Sequence, residues 1–151
     1  MFSVTEVEDP DELNGIDQWG GKAGEEAKNV LEDVEAGDSV KAALDSDGNV
    51  VGVISYNVVD SHLTGDEVIK VENLASNARG VGTRLMQEVF VVAEDAGFGV
   101  ELVATPESIG FYRKLGMTEL PGGKVPEFTF SHRQITEYLD DLEKRRADQD
   151  A

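Results

Sequence analysis

The chain has 151 residues, room for one domain of ordinary size, and 40% of them are apolar, enough to build a core. The 31 acidic residues outweigh 13 basic ones, and the formal net charge of −18 repels nucleic-acid phosphates and anionic lipid, excluding both as default partners. There is no cysteine and only two histidines, His62 and His132, so disulfides, thiolate metal sites and a cysteine nucleophile are ruled out and no metal site is expected.

Met1 to Pro10 lacks a basic start followed by an apolar run, and the apolar stretch Val89-Phe90-Val91-Val92-Ala93 is too short to cross a bilayer. A cytoplasmic protein is therefore expected. Its acid is spread from end to end. Such a surface suits a salty, halophilic cytoplasm where ions screen self-repulsion, with a merely acidic protein as the alternative.

Phe2–Val7 alternates apolar and polar residues, as a half-buried strand does. Asp9-Pro10 reads as a helix start, and Leu13, Ile16 and Trp19 continue at helical spacing up to Gly20-Gly21. A second helix places Ala23, Ala27, Val30, Leu31 and Val34 on one face and ends near Gly37. Strands follow at Ser39–Leu44 and Val50–Val58, joined by Asp45-Ser46-Asp47-Gly48-Asn49. That junction is a hairpin turn; a calcium loop would need glycine at its sixth position, and here glycine is fourth. Glu67–Leu74 is another strand. A helix from about Gly80 to Ala96 carries Leu85, Met86, Val89, Phe90, Val92 and Ala93, and Gly97 stops it. Val100–Ala104 is a strand, Pro106–Leu115 a short helix closed by Gly116, and Glu127–Phe130 a strand after a Pro/Gly-rich loop. Ile135, Tyr138, Leu139 and Leu142 space a final helix at about 133–146; their stripe reads as core, with a homodimer face as the alternative. The order β-α-α-β-β-β-α-β-α-β-α predicts a single α/β (α+β) domain over 1–151, a mixed sheet covered by helices.

The segment that carries chemistry is Val71 to Leu85, where a strand runs through a glycine-containing turn into a helix. Free N–H groups at a helix start, together with its dipole, attract anions, and glycine lets a phosphate approach the backbone. Arg79 and Arg84 flank Gly80-Val81-Gly82 and are the only cations between Val71 and Tyr112. A dinucleotide fingerprint would put a third glycine where Leu85 stands and an acid at the end of the next strand, whereas Glu101 lies at its beginning. The Gly-Lys-Ser/Thr of an ATPase loop is absent.

Asn77-Ala78-Arg79-Gly80-Val81-Gly82 resembles the Arg/Gln-x-x-Gly-x-Gly/Ala signature of the GNAT acetyltransferases, with Asn77 in place of Arg/Gln. The family's second landmark, Asn-x-x-Ala-x-x-Phe/Leu-Tyr-x-Lys-x-Gly-Phe, is matched by Phe111-Tyr112-Arg113-Lys114-Leu115-Gly116, with Thr105, Ser108 and Met117 replacing the usual Asn, Ala and Phe. The element order is also the family's. The resemblance implies a mostly antiparallel central sheet flanked by helices and acetyl-CoA as cosubstrate. Its pyrophosphate would lie on the backbone of Arg79, Gly80, Val81, Gly82, Thr83 and Arg84, and its pantetheine arm along Leu74, Ala75 and Ser76, the strand bulge falling at Leu74 or Ala75. Thr105, Ser108 and Phe111 are implied as further cofactor contacts.

Tyr112 matches the family tyrosine that protonates the leaving thiolate, a role open to a phenol with pKa about 10, the alternative being packing of its helix on the sheet. The base that takes the amine proton is Glu72 or an ordered water relay. Direct attack on the thioester needs no protein nucleophile. The acceptor is expected between the first helices and the β-hairpin, where Trp19, Tyr56, Asn57 and His62 are candidates; the chain's charge would favour a cationic amine. The function implied is an N-acetyltransferase acting on a primary amine. A non-catalytic acyl-CoA-binding sensor or partner module on the same fold is the alternative, and a nucleotide-binding oxidoreductase a remote third.

Overall fold

A computed structural model describes residues 2–13, 15, 16 and 19–150. Seven strands form: β1 (Ser3–Val7), β2 (Ser39–Leu44), β3 (Val50–Asp60), β4 (Glu67–Ser76), β5 (Gly99–Val103), β6 (Thr118–Leu120) and β7 (Glu127–Phe130). The helices are α1 (Gly21–Glu35), α2 (Val81–Ala96), α3 (Ile109–Leu115) and α4 (His132–Asp150). The sheet order is β1-β2-β3-β4-β5-β7-β6, and the β1–β2, β2–β3, β5–β7 and β6–β7 pairs are all antiparallel. The expected class, a mostly antiparallel mixed sheet flanked by helices, is the one that forms. Among the described residues no helix is long and apolar enough to cross a membrane.

The chain folds as two compact units, Met1–Asn57 with Val71–Glu88 and Val58–Lys70 with Val89–Ala151. In the first, β1 pairs with β2 from Ser3↔Leu44 to Val7↔Val40, and β2 with β3 from Ser39↔Tyr56. The β2–β3 turn is held by Asp45, whose Oδ1 accepts the N–H groups of Asp47 and Asn49, each at 2.9 Å. Those backbone bonds, that from Asn49 first, lower the Asp45 pKa. The aspartate thus serves the turn. The apolar stripe of α1 (Ala27, Val30, Val34) closes over Val7, Val40, Ala42, Val53 and Ala75, as its spacing requires.

The second unit is built on aromatic packing. Phe90 of α2 lies 5.2 Å from Phe130 and 5.3 Å from Tyr138, ring centre to ring centre. Tyr138 is half-buried, its ring packed against the buried Phe90 and Phe130 of this unit. The β5–β7 register, Val100↔Phe130 to Val103↔Glu127, places Leu102 and Phe128 on the same buried face.

Several elements differ from expectation. The helix anticipated from Pro10 to Trp19 is a 3₁₀ turn at Pro10–Leu13. Gly15 takes a left-handed φ of 91°, which a continuing α-helix does not allow; Asn14, Asp17 and Gln18 lie outside the described residues. The helix expected at Pro106–Leu115 divides into a 3₁₀ turn, Pro106–Ser108, and α3. β6 was not anticipated, because three residues are too few to show alternation. Helix α4 runs past 146 although its tail has no apolar stripe.

Candidate active site

In the first unit β4 ends at Ser76, whose Oγ donates to Ala78 O at 2.9 Å, while the Asn77 N–H bonds Val51 O at 2.8 Å. The strand end is thus fastened to β3 before the chain turns. Gly80 makes the turn with φ 83°, a value that favours glycine, and the position where a Cβ would stand is open. Val81 then opens α2. The Val81 and Arg84 N–H groups reach Ala78 O at 3.4 Å and Gly80 O at 3.2 Å. Helix geometry gives the intervening N–H groups of Gly82 and Thr83 no partner within the helix. Arg79 is exposed beside them. Arg84 is engaged elsewhere: its Nε bonds Glu88 Oε1 at 3.0 Å, one turn on. An open glycine turn, two N–H groups with no partner within the helix and one exposed guanidinium are groups that could hold a diphosphate.

The first unit therefore joins Glu72, Leu74, Ala75, Ser76 and Arg79–Arg84 in one strand–turn–helix segment. Glu72 is exposed, Leu74 half-buried and Ala75 buried. Two features here escaped the sequence reading. The first is Gly52 of β3. A Cβ there would lie 2.3 Å from Val81 Cγ1, 3.0 Å from Leu85 Cδ1 and 3.4 Å from Ala75 O, so the absent side chain is what lets α2 seat on the strands. An isolated glycine inside a strand pattern is the signal that points to such a contact. The second is a polar cluster under β4. Asp33 Oδ2 accepts from Ser55 Oγ at 2.6 Å and from Asn73 Nδ2 at 2.7 Å, and Asn29 Nδ2 donates to Asn73 Oδ1 at 3.4 Å. It ties α1 to β3 and to the strand that leads into the turn. No sequence spacing announces it.

The second unit holds Thr105, Ser108, Phe111 and Tyr112. Thr105 and Ser108 close a capping box: the Thr105 N–H donates to Ser108 Oγ at 3.1 Å, and the two hydroxyls are 3.0 Å apart. That box starts the 3₁₀ turn leading into α3. Tyr112 and Leu115 form the buried face of α3, and Gly116 ends it with φ 92°. The Tyr112 ring is 5.0 Å from Phe111, edge to face, and 5.5 Å from Phe128. Arg113 anchors the outer side of α3 through an ion pair with Glu119 at 2.6 Å.

The model of the acetyltransferase (GNAT) family matches residues 8–117, most of the chain. The chain belongs to the GNAT acetyltransferase family. No curated protein matches it. Among solved structures, "AtaTR bound with AcCoA" superposes with TM-score 0.75 at 15% identity, over 91% of this chain and 98% of that one. A putative acetyltransferase from Exiguobacterium sp. 255-15 gives 0.71 at 16%, over 91% and 97%. The GNAT family N-acetyltransferase YhbS from Escherichia coli in complex with CoA gives 0.65 at 19%, over 87% and 81%. At these identities the likeness is one of fold.

The residues expected to line an acceptor path in this GNAT chain are divided between the two units, Trp19, Tyr56 and Asn57 in the first and His62 in the second. Trp19 packs against the core of the first unit. Tyr56 is buried in the same unit; burial, then the charges of Glu6 and Glu88, push its phenol pKa upward. His62 lies in the second unit, its Nε2 2.9 Å from Glu127 Oε2. His132 is at the start of α4 and its Nε2 meets Glu94 O at 3.2 Å.

Proposed function

We propose that this GNAT protein transfers an acetyl group from acetyl-CoA to a primary amine by direct attack, acting as one domain over 1–151 in the cytoplasm. The observation that carries the reading is the open turn between β4 and α2, with Gly80 left-handed and Arg79 exposed. Acetyl-CoA, when bound, supplies an activated acyl carbonyl. The chain's own groups bind and move protons around it. The N–H groups of Gly82 and Thr83, aided by Arg79, hold the diphosphate; the backbone at Leu74–Ser76 holds the pantetheine arm and polarises the carbonyl. Glu72, exposed on β4, takes the amine proton directly or through water. Tyr112 gives its phenolic proton to the leaving sulfur. The burial of Tyr112 against Phe111 and Phe128 favours a second reading, a non-catalytic acyl-CoA-binding module in which this ring only packs.

The test is calorimetric titration with acetyl-CoA and, in parallel, NADH, at low and at molar salt. Acetyl-CoA should bind, NADH should not, and Gly82→Asp should abolish the binding. No binding at either salt refutes the proposal. Tyr112→Phe should lower thiol release with acetyl-CoA affinity kept; undiminished turnover would remove the acid role.

A further inference from the structure

The second unit contains a cleft of about 230 Å³ between the tip of the β3–β4 hairpin and the β6–β7 loop, lined chiefly by His62, Leu63, Leu120, Pro121, Val125 and Glu127. Both walls are built. Ser61, 4% exposed, donates its hydroxyl to Glu101 Oε2 at 2.6 Å and accepts the N–H groups of Leu63 at 3.1 Å and Thr64 at 3.3 Å. Its own N–H bonds Asp66 O, and its carbonyl accepts the Gly65 N–H, both at 2.8 Å. Ser61, through its hydroxyl and its backbone, thus ties the hairpin tip together. On the other side, the Ala104 N–H holds Pro126 O at 2.8 Å, and Gly123 is folded so close to Val125 O that a Cβ there would stand 2.9 Å away.

The lining is amphipathic. Glu127, its side chain 29% exposed, presents a carboxylate whose Oε2 meets His62 Nε2 at 2.9 Å. Leu63 and Val125, 47% and 50% exposed, are two of the five large hydrophobic side chains exposed among the described residues, and here they stand beside a carboxylate. Large hydrophobic side chains left exposed beside a carboxylate mark a place for a ligand with the same two halves. Lys124 is not in this lining; it belongs to the adjoining hollow formed by Glu119–Pro126. The cleft therefore presents one carboxylate, which shares its Oε2 with the His62 ring, beside the apolar side chains of Leu63, Leu120, Pro121 and Val125.

We propose that this cleft binds an amine carrying a hydrophobic body, the ammonium on Glu127 and the body against Leu63, Leu120, Pro121 and Val125. In this cleft a compact polyamine would leave the apolar wall unused, and a neutral alcohol would bring no positive charge to the Glu127 carboxylate beside His62. That such an amine is also the acyl acceptor rests on the acetyl-transfer reading above; the binding itself does not.

The experiment is calorimetric titration of the full chain, without acetyl-CoA, using 2-phenylethylamine as probe and 2-phenylethanol and butane-1,4-diamine as comparators. The probe should bind roughly tenfold or more tightly than the alcohol, the difference expected for a charge-assisted hydrogen bond. It should also outbind the diamine. Glu127→Gln should cost about tenfold. Leu63→Ser should weaken the probe severalfold and leave the diamine unchanged. Both side chains reach solvent, and unchanged melting of each variant confirms that folding is intact; the ligand comparators need no variant at all. Absence of probe binding, equal binding of the alcohol, or undiminished binding by both variants overturns the proposal. Acetyl-CoA is titrated separately. Amine binding without acetyl-CoA binding would sustain the cleft and sink the transfer reading; acetyl-CoA binding without amine binding would do the reverse.

Discussion

Gly52→Ala tests how α2 is seated. The new methyl would lie 2.3 Å from Val81 Cγ1, against an ordinary carbon–carbon contact of about 3.5–4 Å. Val81 and Leu85 are both fully buried, and a β-branched side chain in a helix has essentially one good rotamer, so neither can swing into water. The helix start must move by more than about 1 Å or the strand must deform. Overpacking of this kind costs about 1–3 kcal/mol. In a chain of this length that lowers Tm by roughly 2–4 °C per kcal/mol. Because Val81 is the first residue of α2, the same displacement moves the Arg79–Arg84 turn, and acetyl-CoA affinity should fall with it. Thermal melting and calorimetric titration read the two effects. Gly110→Ala is the control. It lies in α3 with nothing within 4 Å of its added Cβ and should stabilise by about 0.5–1 kcal/mol. Val81→Ala placed on Gly52→Ala should recover part of both losses. A Gly52→Ala protein with wild-type Tm and affinity would refute the reasoning, since the helix start would then not depend on that gap.

Asp33→Ala leaves the fully buried Ser55 hydroxyl and the Asn73 amide without their acceptor and should cost about 2–4 kcal/mol in urea unfolding, with Asp33→Asn costing less. Adding Ser55→Ala to Asp33→Ala should recover part of the loss; full additivity would show the two groups to be independent. The phenol of Tyr56 is raised above its ordinary value of about 10 by burial and by Glu6 and Glu88. Below that pH folded and unfolded chains both keep the proton. As pH rises past it the unfolded chain releases a proton the folded one retains, so stability falls. Tyr56→Phe should melt with a shallower decline between about pH 9.5 and 11, and parallel curves would contradict this. With a net charge of −18, self-repulsion should be screened by salt, so Tm should rise from low to molar salt; a flat or falling Tm would count against a salt-adapted surface.

Much of the strand–helix order was legible because it rests on local chemistry. β2 and β7 start and stop where the turn residues around them put them, and α1 and α2 follow from stripes such as Leu85-Met86-Val89-Phe90. The glycine turn was readable for the same reason: Gly80 must adopt a left-handed φ within a few residues of a strand end and a helix start. The helix expected before Gly20 misled because Leu13, Ile16 and Trp19 keep helical spacing, and all three do reach the core, yet Gly15 interrupts the backbone that would connect them.

What the sequence by itself determined is thus most of the elements, a mixed sheet covered by helices and the segment with free N–H groups, since each depends on residues a few positions apart; the mostly antiparallel pairing was implied by the family resemblance. Only the tertiary structure decided which distant residues meet. Gly52 faces Val81, Asp33 gathers Ser55 and Asn73, and His62 reaches Glu127 across 65 positions of chain. Such meetings depend on strand register and on which side of the sheet each helix covers, and no periodicity within a single segment encodes them.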